Sequence, residues 1–144
     1  MKRYHHTQIG HVILASIGGA IVLIVLLLPL QQFNWVPVIV VVVLAICLVL
    51  FATLTVEIDE DSLRLRFGPG PIGKKFLLED IQSHQVVKNH WYYGWGIRRT
   101  PQGWLWNVSG LHAVELVLKS GKRFRIGTDD PEGLSGVLRQ SLGR

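Results

Sequence analysis

The residues best suited to chemistry lie between Lys88 and Trp106. Trp91, Tyr92, Tyr93, Trp95, Trp104 and Trp106 share this stretch with Lys88, His90, Arg98 and Arg99, and four of the chain's five tryptophans are here. Large aromatic faces with polar edges suit an interface or a ligand groove, and neighbouring guanidinium groups can stack on them or hold anions. Trp91, Tyr92, Tyr93, Trp95, Arg98 and Arg99 are therefore the candidate binding residues, touching lipid headgroups or gripping a partner. The competing reading places these rings in a small core, with Gly94 and Gly96 shaping a long hairpin. Alternation implies that some rings point inward while their neighbours point out.

Other constellations are weaker. His5 and His6 are adjacent near the start and His11 follows, while His84, His90 and His112 are scattered. Metal ions need converging ligands, so neither a metal nor any other cofactor is expected. No serine sits in a nucleophile elbow, and no catalytic residue is assigned. Gly68-Pro69-Gly70-Pro71-Ile72-Gly73 lacks the Lys-Ser/Thr of a phosphate-binding loop and reads as a turn. Asn107-Val108-Ser109 fits a glycosylation sequon, irrelevant to a cytoplasmic domain. Cys47, the only cysteine, lies inside an apolar run and reads as a packing residue.

Two uncharged apolar runs, Val12–Leu30 and Val36–Leu54, stand almost back to back. Each is about as long as the roughly 20 residues a helix needs to cross hydrocarbon. Strands rarely reach such lengths, so the expectation is a two-helix transmembrane hairpin, with helices at about 10–30 and 36–54. The first run outlasts the apolar core of a cleaved signal peptide and reads as an uncleaved anchor. Ala15 with Gly19, Ser16 with Ala20, and Ala45 with Ala52 form small-residue stripes that would let membrane helices approach closely. Phe33 and Trp35 in the connector suit an interfacial belt, and Pro29 and Pro37 punctuate the helix ends.

All ten acidic residues lie beyond position 56, and Lys2 and Arg3 are the only Lys or Arg before it. Basic residues thus flank the apolar runs with none between them. By the positive-inside rule both termini face the cytoplasm, at a plasma (inner) membrane crossed more than once. Thirteen Lys and Arg oppose the ten acids in the soluble part. They are too interspersed to suggest nucleic acid.

From residue 56 to 144 the pattern is that of one small domain. Val56 and Ile58, then Leu63, Leu65 and Phe67, alternate with charged residues around an Asp59-Glu60-Asp61 turn, which is a hairpin with one buried face. Lys75–Leu78, Ile81–Lys88, Trp104–Val108, Val114–Leu118 and Phe124–Ile126 supply further strands. Thr128-Asp129-Asp130-Pro131-Glu132 is a helix start, with a capping oxygen, acids and proline in the first turn. Leu134, Val137, Leu138 and Leu142 recur at helical spacing up to Gly143. Gly133 and Gly136 weaken this helix, so packing must hold it. Lys119, Lys122, Arg123 and Arg125 form a basic strip, either a solvated edge or a surface for an anionic leaflet.

Several segments together resemble bacterial membrane proteins with a PH-like (pleckstrin-homology-like) domain. They are Thr55–Asp59, Tyr93–Arg98, Gly103–Gly110, Ala113–Glu115 and Phe124–Pro131, and with the helical hairpin the likeness covers essentially the whole chain. The resemblance implies a mainly-β PH-like barrel of about seven antiparallel strands, stoppered by a C-terminal α-helix. It also implies a recognition platform without conserved catalysis. Phosphoinositide binders carry basic residues around the first hairpin turn, where this chain has Asp59-Glu60-Asp61. Arg64 and Arg66, farther along the strand, do not restore that motif, so phosphoinositide binding is not expected. The expected function is a non-enzymatic, membrane-anchored module recognising a protein or peptide partner, a second copy, or the membrane surface. A structural accessory subunit of a membrane complex comes second, and a membrane-linked enzyme third.

Overall fold

The computed structural model describes residues 3–108 and 110–143. Lys2, counted above among the flanking basic residues, and Ser109, the third residue of the sequon, lie outside them. Strand β1 (Tyr4–Ile9) leads into helix α1 (His11–Leu27), which a 3₁₀ turn extends through Leu30. Helix α2 (Trp35–Phe51) then returns to β2 (Thr53–Ile58). Strands β3 (Ser62–Phe67), β4 (Ile72–Leu77), β5 (Ile81–Lys88), β6 (Gly96–Thr100), β7 (Gly103–Asn107), β8 (His112–Leu118) and β9 (Arg123–Gly127) follow, before helix α3 (Pro131–Leu142).

This corrects the expected fold class. The described residues form nine strands in two sheets, β1-β2-β3-β4 and β5-β8-β9-β7-β6, rather than one barrel of about seven. The pairing is not wholly antiparallel either, since β7 and β9 run parallel. Nor do the described residues form a hairpin of two spans. Among the described residues only His11–Leu30, at 20 residues, is long and apolar enough to cross a membrane, and α2 is shorter. The physical reason lies at its C-terminal end. Thr53 and Leu54 leave the apolar run to pair with Ile9 and Gln8 of β1, and Leu54 is fully buried in the core.

The β1–β2 ladder, from Tyr4 opposite Ile58 to Ile9 opposite Thr53, makes the helix pair an excursion out of a strand pair. Both helix ends are thereby rooted on one end of the sheets. Gly10 N donates to Ala52 O at 2.6 Å, and a Cβ on Gly10 would stand 2.9 Å from Val108 Cβ, so the end of β7 belongs to the root as well. The β3–β4 turn also presses on α2, because a Cβ on Gly68, whose φ is +50°, would fall 2.5 Å from Val49 O.

The helices pack on each other, but their other surfaces are open. Ile13 is the one buried residue of α1, and α2 has none. Half-buried Ile17, Ile21 and Ile24 lie in α1, and Val41, Leu44 and Leu48 in α2. Ala15, Ser16, Gly19 and Ala45 are exposed instead, so the small-residue stripes do not form the close approach expected of them.

Alternation along the strands sends Leu54, Val56, Ile58, Leu63, Leu65 and Phe67 from one sheet, and Trp106, Val114, Leu116, Phe124 and Ile126 from the other, into one shared core. Ring contacts stitch the layers together, Phe67 to Trp106 at 5.1 Å and Phe76 to Phe124 at 4.8 Å. Helix α3 adds Leu134 and Leu138, both fully buried. Asp130 caps it by accepting from Gly133 N at 3.1 Å, and Gly143 ends it with φ +69°. The glycine at 133 has a steric reason, because a Cβ there would stand 2.1 Å from Asp130 Oδ2.

Candidate functional site at the root of the helices

The β5–β6 connection carries most of the candidate residues, and its position follows from its flanks. Lys88 pairs with His112 at the root end of β8, and Gly96 pairs with Asn107 at the root end of β7. Between them Trp91–Tyr93 form one 3₁₀ turn, and Gly94 and Gly96 take φ of +76° and +91°. Both ends of this connection therefore lie at the end of the domain from which the helices emerge.

Its side chains divide by role. Trp91 and Tyr92 are 73% and 63% exposed, with His90 stacked on Tyr92 at 5.0 Å. Tyr93 turns inward across the sheet and its hydroxyl donates to Gln102 Oε1 at 2.9 Å. Trp95 Nε1 donates to Gly110 O at 3.1 Å, and Arg98 Nε donates to Trp95 O at 3.0 Å. Arg99, next along β6, points to the opposite face and stands level with Trp104 of β7, so Arg98 and Arg99 do not act together.

Trp95 and Arg98 line a groove of about 420 Å³ between the root of α1 and the start of β6. Its other wall is Val12, Ile13, Ser16 and Ile17 of α1, with Phe51 at the end of α2. The groove is thus mostly apolar, with one guanidinium at its lip. Sequence reasoning missed the α1 wall, because those residues read as undifferentiated apolar helix. Only the ladder between β1 and β2 brings them to β6.

Beneath the aromatic connection lies a polar network. Glu115, 1% exposed, accepts from Arg125 Nε at 2.7 Å and from Gln85 Nε2 at 3.3 Å. Arg125 Nη1 also donates to Asn89 Oδ1 at 3.0 Å, at the start of the connection. Burying such a pair is tolerated only when hydrogen bonds complete it. Arg125 is therefore not part of a solvated basic strip. Lys119 and Lys122 belong to the β8–β9 turn, at the opposite end of β8 from the root.

At the N-terminal edge, Tyr4 donates to Asp130 Oδ2 at 3.0 Å, and His6 Nε2 meets Asp129 Oδ1. These contacts fasten β1 to the start of α3. The Tyr4 phenol is held above its ordinary pKa, first by burial, then by its bond to Asp130 and the charges of Asp130 and Asp129. His5 instead engages Glu57 at 3.3 Å, so the adjacent histidines face different partners. Among the described residues no three His, Cys, Asp or Glu side chains gather as a metal site would require. Compared with protein-family models and with curated proteins, the chain matches none.

Proposed function

We propose that this chain is a membrane-attached, non-catalytic binding module that holds its two-sheet domain against the cytoplasmic face of the plasma membrane. The observation that carries this reading is the outward surface of the helix pair. Both helices are apolar on all sides, and a single residue of the two, Ile13, is buried in the protein. In water such a surface is far larger than a soluble monomer exposes, whereas lipid accommodates it. Of the two helices, His11–Leu30 matches the thickness of the hydrocarbon layer, and the shorter α2 packs along it.

The β1–β2 ladder supports one side for the domain, because it keeps Arg3 and everything after Thr53 together. Basic residues favour the cytoplasmic side. Trp91 and Tyr92, exposed at the root, then meet the headgroup layer, where amphipathic rings are favoured. Binding at the groove rests on Trp95, Arg98 and the α1 wall.

The test is flotation of the full chain with neutral phosphatidylcholine vesicles, followed by alkaline carbonate extraction. The chain should float and resist extraction; release into the supernatant overturns the proposal. Brominated lipids should quench a fraction of the tryptophan emission that disappears in Trp91→Phe.

A second reading, an accessory subunit of a membrane complex, draws on the exposed small residues Ala15, Ser16 and Gly19 of α1. Substituting leucine for Gly19 would then abolish co-purification of a membrane partner and leave flotation unchanged.

A further inference from the structure

The outward face of the four-stranded sheet carries a cationic pit. Its register sets one row of His5, Glu57, Arg64 and Lys75, and another of Thr7, Thr55, Arg66 and Gly73. The rows stand two residues, roughly 7 Å, apart along the strands. The pit encloses about 300 Å³, and Arg64, Arg66 and Lys75 are its outward-facing cations. Gly73 puts no side chain between Arg66 and Lys75, which leaves the floor open. The stem of Arg66 runs beside Gly70, where a Cβ would stand 2.8 Å from Arg66 Cδ.

Two observations distinguish this face from an ordinary solvated one. First, among the described residues Arg64, Arg66 and Lys75 form no ion pair. Glu57, across from Arg64, is engaged by His5 instead. Like charges on adjacent strands repel, and a bound anion would relieve that repulsion. Second, the charge is graded along the strands. Arg66 lies on the helix side, level with Thr55, while Asp59, Glu60 and Asp61 form the turn at the far end. Thr55 follows the end of α2 at Phe51 by four residues, about 13 Å of strand. A headgroup layer roughly 6 Å deep and a screening length of about 8 Å bring the Arg66 row within its field.

We propose that this pit binds the phosphate of an anionic phospholipid from the leaflet around the helices, through Arg66 and Arg64 with Lys75 beside them. Guanidinium forks can each engage two phosphate oxygens, and the ammonium adds a point charge. The site is separate from the apolar groove but rests on the membrane attachment proposed above. It would set the tilt of the domain, orienting the four-stranded sheet toward the headgroups while the helices supply the anchoring.

Native mass spectrometry of the full chain in neutral-detergent micelles, titrated with phosphatidylglycerol and phosphatidylcholine, tests it. The unaltered chain should retain phosphatidylglycerol preferentially. The triple variant Arg64→Gln, Arg66→Gln, Lys75→Gln should lose that preference by roughly a hundredfold, about fivefold per cation. A control that removes two cations at the far end, Lys119→Gln with Lys122→Gln, should keep it. Preference surviving in the triple variant, or vanishing equally in the control, overturns the site. So does inorganic phosphate that displaces the lipid at equal concentration, because the ligand is then a free anion. Flotation of the triple variant with neutral vesicles reads attachment separately. A chain that prefers phosphatidylglycerol in micelles but does not float keeps the phosphate site and loses the membrane reading.

Discussion

The outer faces of the two sheets begin from nearly the same sequence pattern and end in opposite states. On the four-stranded sheet Arg64 and Arg66 alternate with core residues, and Glu57 stands across from Arg64. On the five-stranded sheet Arg123 and Arg125 alternate in the same way, and Glu115 stands across from Arg125. Yet Glu115 is buried and fully engaged, whereas Arg64 and Arg66 are exposed. The difference comes from the connections. The β2–β3 and β3–β4 turns are tight and have no chain to spare. The β5–β6 connection, Asn89–Trp95, folds back across its sheet, with bonds from Asn89 to Arg125, Tyr93 to Gln102 and Trp95 to Gly110. Leu105, Ala113 and Asn107 on the same outer face are accordingly almost wholly buried. A period-2 pattern marks which residues leave the core; the neighbouring loop decides whether they reach water.

The sharpest way to break this comparison is to neutralise each acid in turn. Glu115→Gln leaves the largely covered Arg125 guanidinium without its countercharge, which should cost about 3 kcal/mol of stability. Chemical unfolding of the detergent-solubilised chain measures it. A loss below about 1 kcal/mol would mean that the aromatic connection does not exclude water. Next in size is Asp130→Ala, which removes the α3 cap and the acceptor for Tyr4 together. The cap alone accounts for about 0.5–2 kcal/mol, and the same unfolding midpoint reads it. Tyr93→Phe, which deletes only the bond to Gln102, should cost about 1 kcal/mol. It should also raise hydrogen exchange across β7 and β8 while leaving β2 and β3 unchanged.

How far the sequence discloses this arrangement depends on where burial comes from. Val56–Ile58, Leu63–Phe67 and Val114–Leu118 show themselves as strands because one of their faces meets the shared core. Helix α3 shows itself through its caps. Strand β1 does not, because its sequence Tyr4-His5-His6-Thr7-Gln8-Ile9 has no apolar alternation, and its buried member is Gln8. It becomes a strand only because β2 offers it an edge beyond the far ends of both helices. Strand β6 is hidden by Gly96 and the Arg98-Arg99 pair, and it holds its place through β7. The same limit applies to the groove. Trp95 and Arg98 stand out by residue type, but the α1 wall is created by strand pairing distant in sequence. The cover over Glu115 is likewise invisible locally, since an alternating Arg strand reads the same whether or not a loop folds over it.

The edge that joins the two halves adds a pH-dependent test. In the folded state Tyr4 is held neutral to higher pH than a free phenol. A raised folded pKa means that its contribution is fully present below about pH 10, the ordinary tyrosine value, and is lost as pH rises toward the folded value. The unaltered chain should therefore lose stability more steeply than Tyr4→Phe above about pH 10. Parallel pH profiles for the two chains would show that the Tyr4–Asp130 contact carries no such linkage.

The smallest stability effect belongs to Glu57→Gln, and it bears most directly on why the two faces differ. Glu57 pairs with His5, whose side chain is 48% exposed, so solvent screens the interaction and its loss should cost under about 1 kcal/mol. The same substitution removes the carboxylate from a pit with three outward-facing cations. If the pit accepts a lipid phosphate, its preference for phosphatidylglycerol should rise, by up to roughly fivefold for one unit of charge. Glu115→Gln, which unpairs the largely covered Arg125 on the other sheet, should leave that preference unchanged. A rise at one of two matching positions and no change at the other would show that loop coverage, rather than strand sequence, assigns Arg125 to structure and leaves Arg64 and Arg66 free to meet a lipid phosphate.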